Sequence, residues 1–290
     1  GLGFLEVLLG DQSPLTPEQS FYQRVLVGDA TEITYQAELA LKDESLESHL
    51  GTVALGALKL AQRDALSGVL DAKQTERIGE TIREMLMTLS DFEPRDWFSG
   101  LLNREEADNR TDSNRPSSGE DAVMRVADST ALAEGWDVET PVLCISGRSV
   151  LDEAAAAIFA EAVRQRGLNA EVLSHEILTV GQITTLSNTD AKLICLSYLG
   201  FNSALVEIRY RVRRLRRILP KDTVILVLYL DETGGPDAAE VLKATGADAY
   251  AHTLQGAVEL CANAALGDIE YTTRTRVKAT TEGQHTVLPT

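Results

Sequence analysis

Cysteine is scarce in this 290-residue chain: Cys144, Cys195 and Cys261 are odd in number and widely spaced. That pattern excludes a disulfide framework and paired-cysteine metal motifs, and it fits unpaired thiols in a reducing compartment. Long apolar runs are missing as well, and no window approaches the roughly 20 residues needed to span a bilayer. Phe4, Leu5, Val7, Leu8 and Leu9 open the chain among Gly1, Gly3 and Gly10, but that stub is too short to cross. No basic start or small-residue cleavage site marks it as a secretory signal. Positive charge is in deficit, with 27 Lys and Arg against 44 Asp and Glu and a net charge of -17. A chain so acidic is not a general nucleic-acid or anionic-surface binder.

The motifs of catalysis are also absent. There is no G-x-G-x-x-G, no P-loop lysine, no H-E-x-x-H and no nucleophile elbow around Ser146, Ser149 or Ser197. His49, His175, His252 and His285 are far apart in sequence and show no metal-ligand spacing. The chain therefore reads as a non-enzyme with no metal and no cofactor.

What is present falls into zones. After a stub over 1–15, residues 16–93 carry helix-start signals and helical apolar periods. Thr16-Pro17-Glu18-Gln19 is a capping box with proline in the first turn, and Asp29-Ala30-Thr31-Glu32 starts a second helix directly after Gly28. Ile33, Ala37, Ala40 and Leu41 share one face. Ser45 opens a longer helix with Leu46, Leu50, Val53, Ala54, Ala57, Leu58 and Ala61 in one stripe, and Asp71 opens a last one with Ile78, Ile82, Met85 and Leu89. The expectation is an antiparallel helical bundle. Residues 94–138, with NREEADNRTDSNRPSSGED, have too few apolar side chains to offset ordering and read as a flexible linker.

From 139 to 268 strands and helices alternate. Strands are predicted at 142–146, 170–174, 191–197, 223–230 and 246–250, with an alanine-rich helix over 151–166 and another over 254–265. Continuous apolar strands separated by helices predict an α/β domain, a doubly wound five-stranded parallel sheet of flavodoxin-like order 2-1-3-4-5. A tail follows over 269–290. In such sheets ligands sit beyond the carboxyl ends of the strands. Those ends carry Ser146, Gly147, Arg148 and Ser149, then Ser197 and Tyr198, then Asp231, Gly234 and Gly235, with His252 after the fifth strand. A helix amino terminus beside Arg148 suits a small anionic ligand, while the same glycines equally serve as tight-turn residues.

A bundle followed by this sheet is similar to the cobalamin-binding modules of methionine synthase and related corrinoid proteins. Ser197-Tyr198-Leu199 matches that family's Ser-x-Leu, and GADAYAHTLQGAVEL at 246–260 resembles its closing strand and helix. Its Asp-x-His-x-x-Gly fails: against SVLDEA the Asp falls on Ser149, the cobalt-ligating His on Leu151 and the Gly on Ala154. The resemblance implies the architecture without the cofactor.

A second resemblance concerns the opening. FLEVLLGDQSPLTPEQSFYQRVLVGD resembles the segment after the last transmembrane helix in long members of the autoinducer-2 exporter family of bacterial permeases. Phe4-Leu5-Glu6-Val7-Leu8-Leu9-Gly10-Asp11, Phe21-Tyr22-Gln23-Arg24 and PVLCISGRSVLDEAAAAI at 141–158 carry it. The stub then reads as a membrane exit. The implied role is a regulatory or assembly domain on the cytoplasmic face of the inner membrane, partnered by its own permease portion and homo-oligomeric through it. The alternative is a free-standing small-molecule sensor of cobalamin-module ancestry. Against the acidic background, EIRYRVRRLRRILP at 207–220 holds six arginines between Arg209 and Arg217. Ile208, Val212, Leu215 and Leu219 are expected to face the sheet, with Arg209, Arg213, Arg216 and Arg217 outside. Those arginines either pair with the acidic bundle or meet lipid headgroups.

Overall fold

The computed structural model describes residues 15–90, 132–200, 205–230 and 237–267. The chain divides into two units at the Phe92–Glu93 junction. The predicted stub up to residue 14, most of the linker (94–131) and the tail from 268 lie outside the described residues.

The first unit is helical. Helix α1 (Pro17–Val27) begins with the predicted capping box: Thr16 Oγ1 accepts the Gln19 N–H while Gln19 Oε1 accepts the Thr16 N–H at 3.0 Å. It ends at Gly28, where φ is 85°. Helix α2 (Ala30–Ala40) follows at once, capped by Asp29. The stretch expected as one helix from Ser45 is α3 (Leu46–His49), a π-helical turn (Leu50–Ala54) and α4 (Leu55–Leu66). Helix α5 (Ala72–Ser90) packs against α1 and α2, and α1 packs on α4. Ile78, Ile82, Met85 and Leu89, spaced three and four apart, are all buried as their period requires. Each such side chain contributes about 1.5–3 kcal/mol when fully buried. His49 is buried too, its ring edge-on to Phe21 at 6.3 Å and its Nδ1 2.8 Å from Glu44 Oε1.

The second unit is the doubly wound domain. Strands β1 (Val142–Ser146), β2 (Ala170–Leu173), β3 (Leu193–Leu199), β4 (Val224–Leu230) and β5 (Ala249–Ala251) form one parallel sheet in the order β2-β1-β3-β4-β5. Helices α6 (Val150–Gln165) and α9 (Leu254–Leu266) contact one another and the sheet, α6 at β1, β2 and β3, α9 at β4 and β5. Helix α7 (Leu205–Ile218) buries Ile208, Val212 and Leu215 in the cluster that holds Ile145, Leu196, Tyr198 and Val227, and α8 (Ala238–Thr245) packs beside it.

Strands β2 and β4 are each one residue shorter than expected, and the larger differences at β3 and β5 matter to the site. Strand β3 starts later and ends later than 191–197, because Tyr198 and Leu199 stay in register with Tyr229 and Leu230. The expected start of β5 is instead the end of α8: Gly246 is its left-handed cap at φ 78°, a conformation glycine adopts without strain. The last residues of the predicted linker also belong to this unit, since Trp136 is buried and the Ala133 N–H reaches Ala265 O at 2.8 Å.

Candidate functional site

The order of the sheet reverses between β1 and β3, so the ligand position of this architecture lies above the ends of those strands. Ser146 and Ser197 are register partners there, and the Gly147 N–H continues the ladder to Ser197 O at 2.8 Å. The chain then turns into α6. Ser149 caps the helix, its Oγ accepting the Asp152 N–H at 3.0 Å, and Asp152 Oδ2 accepts the Ser149 N–H at 3.0 Å in return. The other oxygen of that carboxylate, Oδ1, accepts the Leu199 N–H from the end of β3 at 2.7 Å.

Asp152 thus occupies the place that the sequence offered to an external anion. A carboxylate at a helix amino terminus gains from the partial positive charge there. This one also ties the start of α6 to the end of β3. Gly147 is shaped around it: a Cβ on Gly147 would lie 2.3 Å from Asp152 Oδ2 and 2.5 Å from its Cγ. The signal for Asp152 was present as Ser149-x-x-Asp152, a capping-box pattern, though nothing in it announces the second bond to Leu199.

Among the described residues, the remaining predicted ones do not gather into one cleft. Ser146 and Ser197 are fully buried, and their hydroxyls have no hydrogen-bond partner among the described residues. Tyr198, expected at the strand-end site, lies in the core on the opposite face, because side chains alternate along a strand and β3 continues through it. Its hydroxyl accepts from Arg211 Nη1 at 3.2 Å, and the guanidinium carbon sits 5.4 Å from the ring centroid. Burial, ahead of the opposing pull of Arg211, pushes the Tyr198 hydroxyl up to about 12. Arg148 is the exposed member, 74% accessible, with Nη2 3.2 Å from Glu207 Oε1. The same oxygen receives Arg211 Nη2 at 2.9 Å. His252 is exposed beyond β5, three strand spacings and about 14 Å across the sheet from β1. Asp231, Gly234 and Gly235 lie outside the described residues.

The arginine helix is placed nearly as expected. Arg209, Arg213 and Arg217 are exposed, whereas Arg216 turns inward, donating through Nη1 to Thr223 O at 2.7 Å and pairing through Nη2 with Asp248. Arg216 is therefore a tie between α7 and the sheet rather than part of an outer stripe. The buried Arg211 is the member that sequence reading did not single out; its place one residue before the core residue Val212 is the only cue.

The site does not fit a cobalt-ligating cofactor. Leu151 stands in the first turn of α6, fully buried and without a lone pair to offer. No group of three or more His, Cys, Asp or Glu suited to a metal ion occurs among the described residues. Cys144 and Cys195 are register partners in the sheet and buried, as is Cys261, and burial pushes the Cys195 and Cys261 thiols well up, away from the thiolate form that binds metal. Mixing the protein with hydroxocobalamin is accordingly expected to give no stoichiometric, histidine-type spectral change. A saturable shift of that kind would overturn the reading.

No helix among the described residues is long and apolar enough to cross a membrane. No protein-family model matches the chain, and no curated protein does. A solved cobalamin-binding protein from Desulfitobacterium hafniense aligns in structure with a TM-score of 0.34 and 14% identity, over 83% of this chain and 95% of its own. At that level of similarity the fold of this chain rests on its own strand order and register.

Proposed function

We propose that this chain is a non-catalytic regulatory or assembly domain of an autoinducer-2-exporter-like transporter, held at the cytoplasmic face of a bacterial inner membrane. The observation that carries the non-catalytic part is Asp152. Two N–H groups at the usual ligand position of the sheet, those of Ser149 and Leu199, are taken by a carboxylate of the chain itself, which supports this reading. The transporter part is supported by the resemblance at Phe4–Asp11, Phe21–Arg24 and 141–158. In this reading the partners are the permease portion of the same polypeptide and further copies brought together by it.

Ligand sensing at the rim remains part of the proposal in a narrower form. A small anion near Arg148 competes with Glu207 for the guanidinium and with Asp152 for the helix end. The deciding experiment begins with the coding sequence upstream of Gly1. Several apolar stretches of about 20 residues are expected there, and their absence sinks the transporter reading in favour of a free-standing sensor. Where they occur, full-length protein and a version cut before Thr16 are compared in detergent by light scattering. Fewer subunits per assembly in the truncated form support an assembly role; an unchanged subunit number leaves regulation, read as altered export activity, as the role to be met.

A further inference from the structure

We propose that the groove between α7 and α8 binds a phosphate-bearing polyanion, at a site separate from the β1–β3 switch point. The groove is open to solvent, has a volume of about 430 Å³ and is lined by Arg209, Arg213, Arg216, Arg217 and Lys243, with Gly246 also in the lining. That volume falls within the range of small-molecule pockets, roughly 300–1,000 Å³. Among the described residues no carboxylate lines it.

Four of the five charges in it have no counter-ion among the described residues. Arg216 is spoken for by Thr223 O and Asp248. Arg209, Arg213, Arg217 and Lys243 are exposed and have no ion pair or side-chain hydrogen bond among the described residues. Arg209, Arg213 and Arg217 recur every four residues, so their guanidinium groups share one face of α7 at about one helical turn apart, and like charges at that spacing destabilise a helix. The one acidic residue of α7, Glu207, faces away, toward Arg148 and Arg211. The carboxyl end of α8, at Thr245 and Gly246, brings a partial negative charge of about half a unit, too small to balance four cations. A polyanion with several oxygens matches this array. Guanidinium groups fork onto phosphate oxygens in bidentate pairs, and the anchored Arg216 stiffens the floor on which the others sit.

The proposal stands independently of the transporter reading, because its test needs only the 290-residue chain. Inorganic tripolyphosphate is titrated calorimetrically into the protein at about 0.1 M chloride, where charges closer than about 10 Å still interact. In parallel, the protein is sedimented with phosphatidylglycerol vesicles and with phosphatidylcholine vesicles. The same runs are made on Arg213→Gln/Arg217→Gln, on Arg209→Gln/Lys243→Gln, and on Lys42→Gln/Lys73→Gln, which removes equal charge from the first unit. The expected result is saturable one-to-one binding of tripolyphosphate, weakened at least tenfold by either groove pair and less than twofold by the control. Groove-dependent binding to phosphatidylglycerol alone supports the site with a lipid phosphate as its source. No binding in either arm, or equal weakening by the groove and control pairs, overturns it. Since the four exposed groove cations carry no described structural bond and the arginines among them repel one another, thermal unfolding of both groove pairs without anion is expected at or slightly above the wild-type temperature, and it separates lost binding from lost folding.

Discussion

Asp152→Ala is expected to lower the unfolding free energy by about 2–4 kcal/mol, the sum of a lost charged cap and a stranded Leu199 N–H. Hydrogen bonds to a charged group are worth about 1.5–3 kcal/mol, and a buried donor left without a partner costs about 1–3 kcal/mol. Those terms overlap, so the middle of the range is the expectation. Gly147→Ala should cost a comparable amount by a different route, since the new methyl cannot coexist with the carboxylate at 2.3 Å and must push it off both N–H groups. The two changes therefore attack one feature. In the Asp152→Ala background the Gly147→Ala cost should fall below about 1 kcal/mol, leaving only the tight 3.0 Å approach to the Cβ at 152. Urea unfolding of the four proteins gives the cycle, and additivity would show that Gly147 and Asp152 act separately. Sodium formate adds a functional arm. If Asp152 stands in for a ligand, formate at high concentration should stabilise Asp152→Ala more than the wild type, by refilling the pair of N–H groups.

This outcome bears on how far the sequence was readable. The architecture was legible because each element obeyed a local rule: the Thr16 box, the Gly28 stop, the period of Ile78, Ile82, Met85 and Leu89, and continuous apolar strands that imply a sheet covered on both faces. The strand order was the flavodoxin-like one of the two common doubly wound orders, which the alternation alone does not choose between. The site was less legible, and the reasons are physical. Strand ends are set by partners distant in sequence: β3 runs on to Leu199 because Leu230 is there to pair with it, and that single fact moves Tyr198 from a rim to the core. Asp152 read as one half of a local cap, whereas its bond to Leu199 joins residues 47 apart in the chain. In the arginine run, charge alone gave no way to tell the inward Arg211 and Arg216 from the outward Arg213 and Arg217. Their roles depend on which acceptors, Tyr198, Glu207, Thr223 and Asp248, the fold brings beneath them.

Arg211→Met is expected to cost about 2–4 kcal/mol at neutral pH, and Tyr198→Phe about 1–2 kcal/mol, although neither residue touches the switch point. Methionine keeps most of the apolar stem of arginine, so the loss reports the guanidinium. Without it, the Tyr198 hydroxyl is buried with no donor, and Glu207 keeps only the exposed Arg148, an ion pair of small worth. Tyr198→Phe does the reverse, leaving Arg211 Nη1 without its acceptor while retaining the ring beneath the guanidinium. Because half-removed polar pairs cost more than fully removed ones, the double variant should lose less than the two single losses added together. The pH dependence gives a second readout. The Tyr198 hydroxyl titrates near 12 in the fold, mainly through burial, against an ordinary value of about 10. The folded state holds its proton more tightly than the unfolded chain, so this contribution is complete below pH 10 and is lost as pH rises from 10 through 12. Two units correspond to about 2.7 kcal/mol at most. Tyr22, raised by its own burial and by its bond to Asp64, falls in the same direction, as do the buried Cys195 and Cys261 thiols. All proteins should therefore weaken with alkali, and the measurement that isolates Tyr198 is the difference in slope. Between pH 10 and 12 the stability of Tyr198→Phe should decline less steeply than that of the wild type, with the two curves converging toward the upper end. Parallel curves would mean that the Tyr198 hydroxyl ionises without penalty and that Arg211 is held by Glu207 alone.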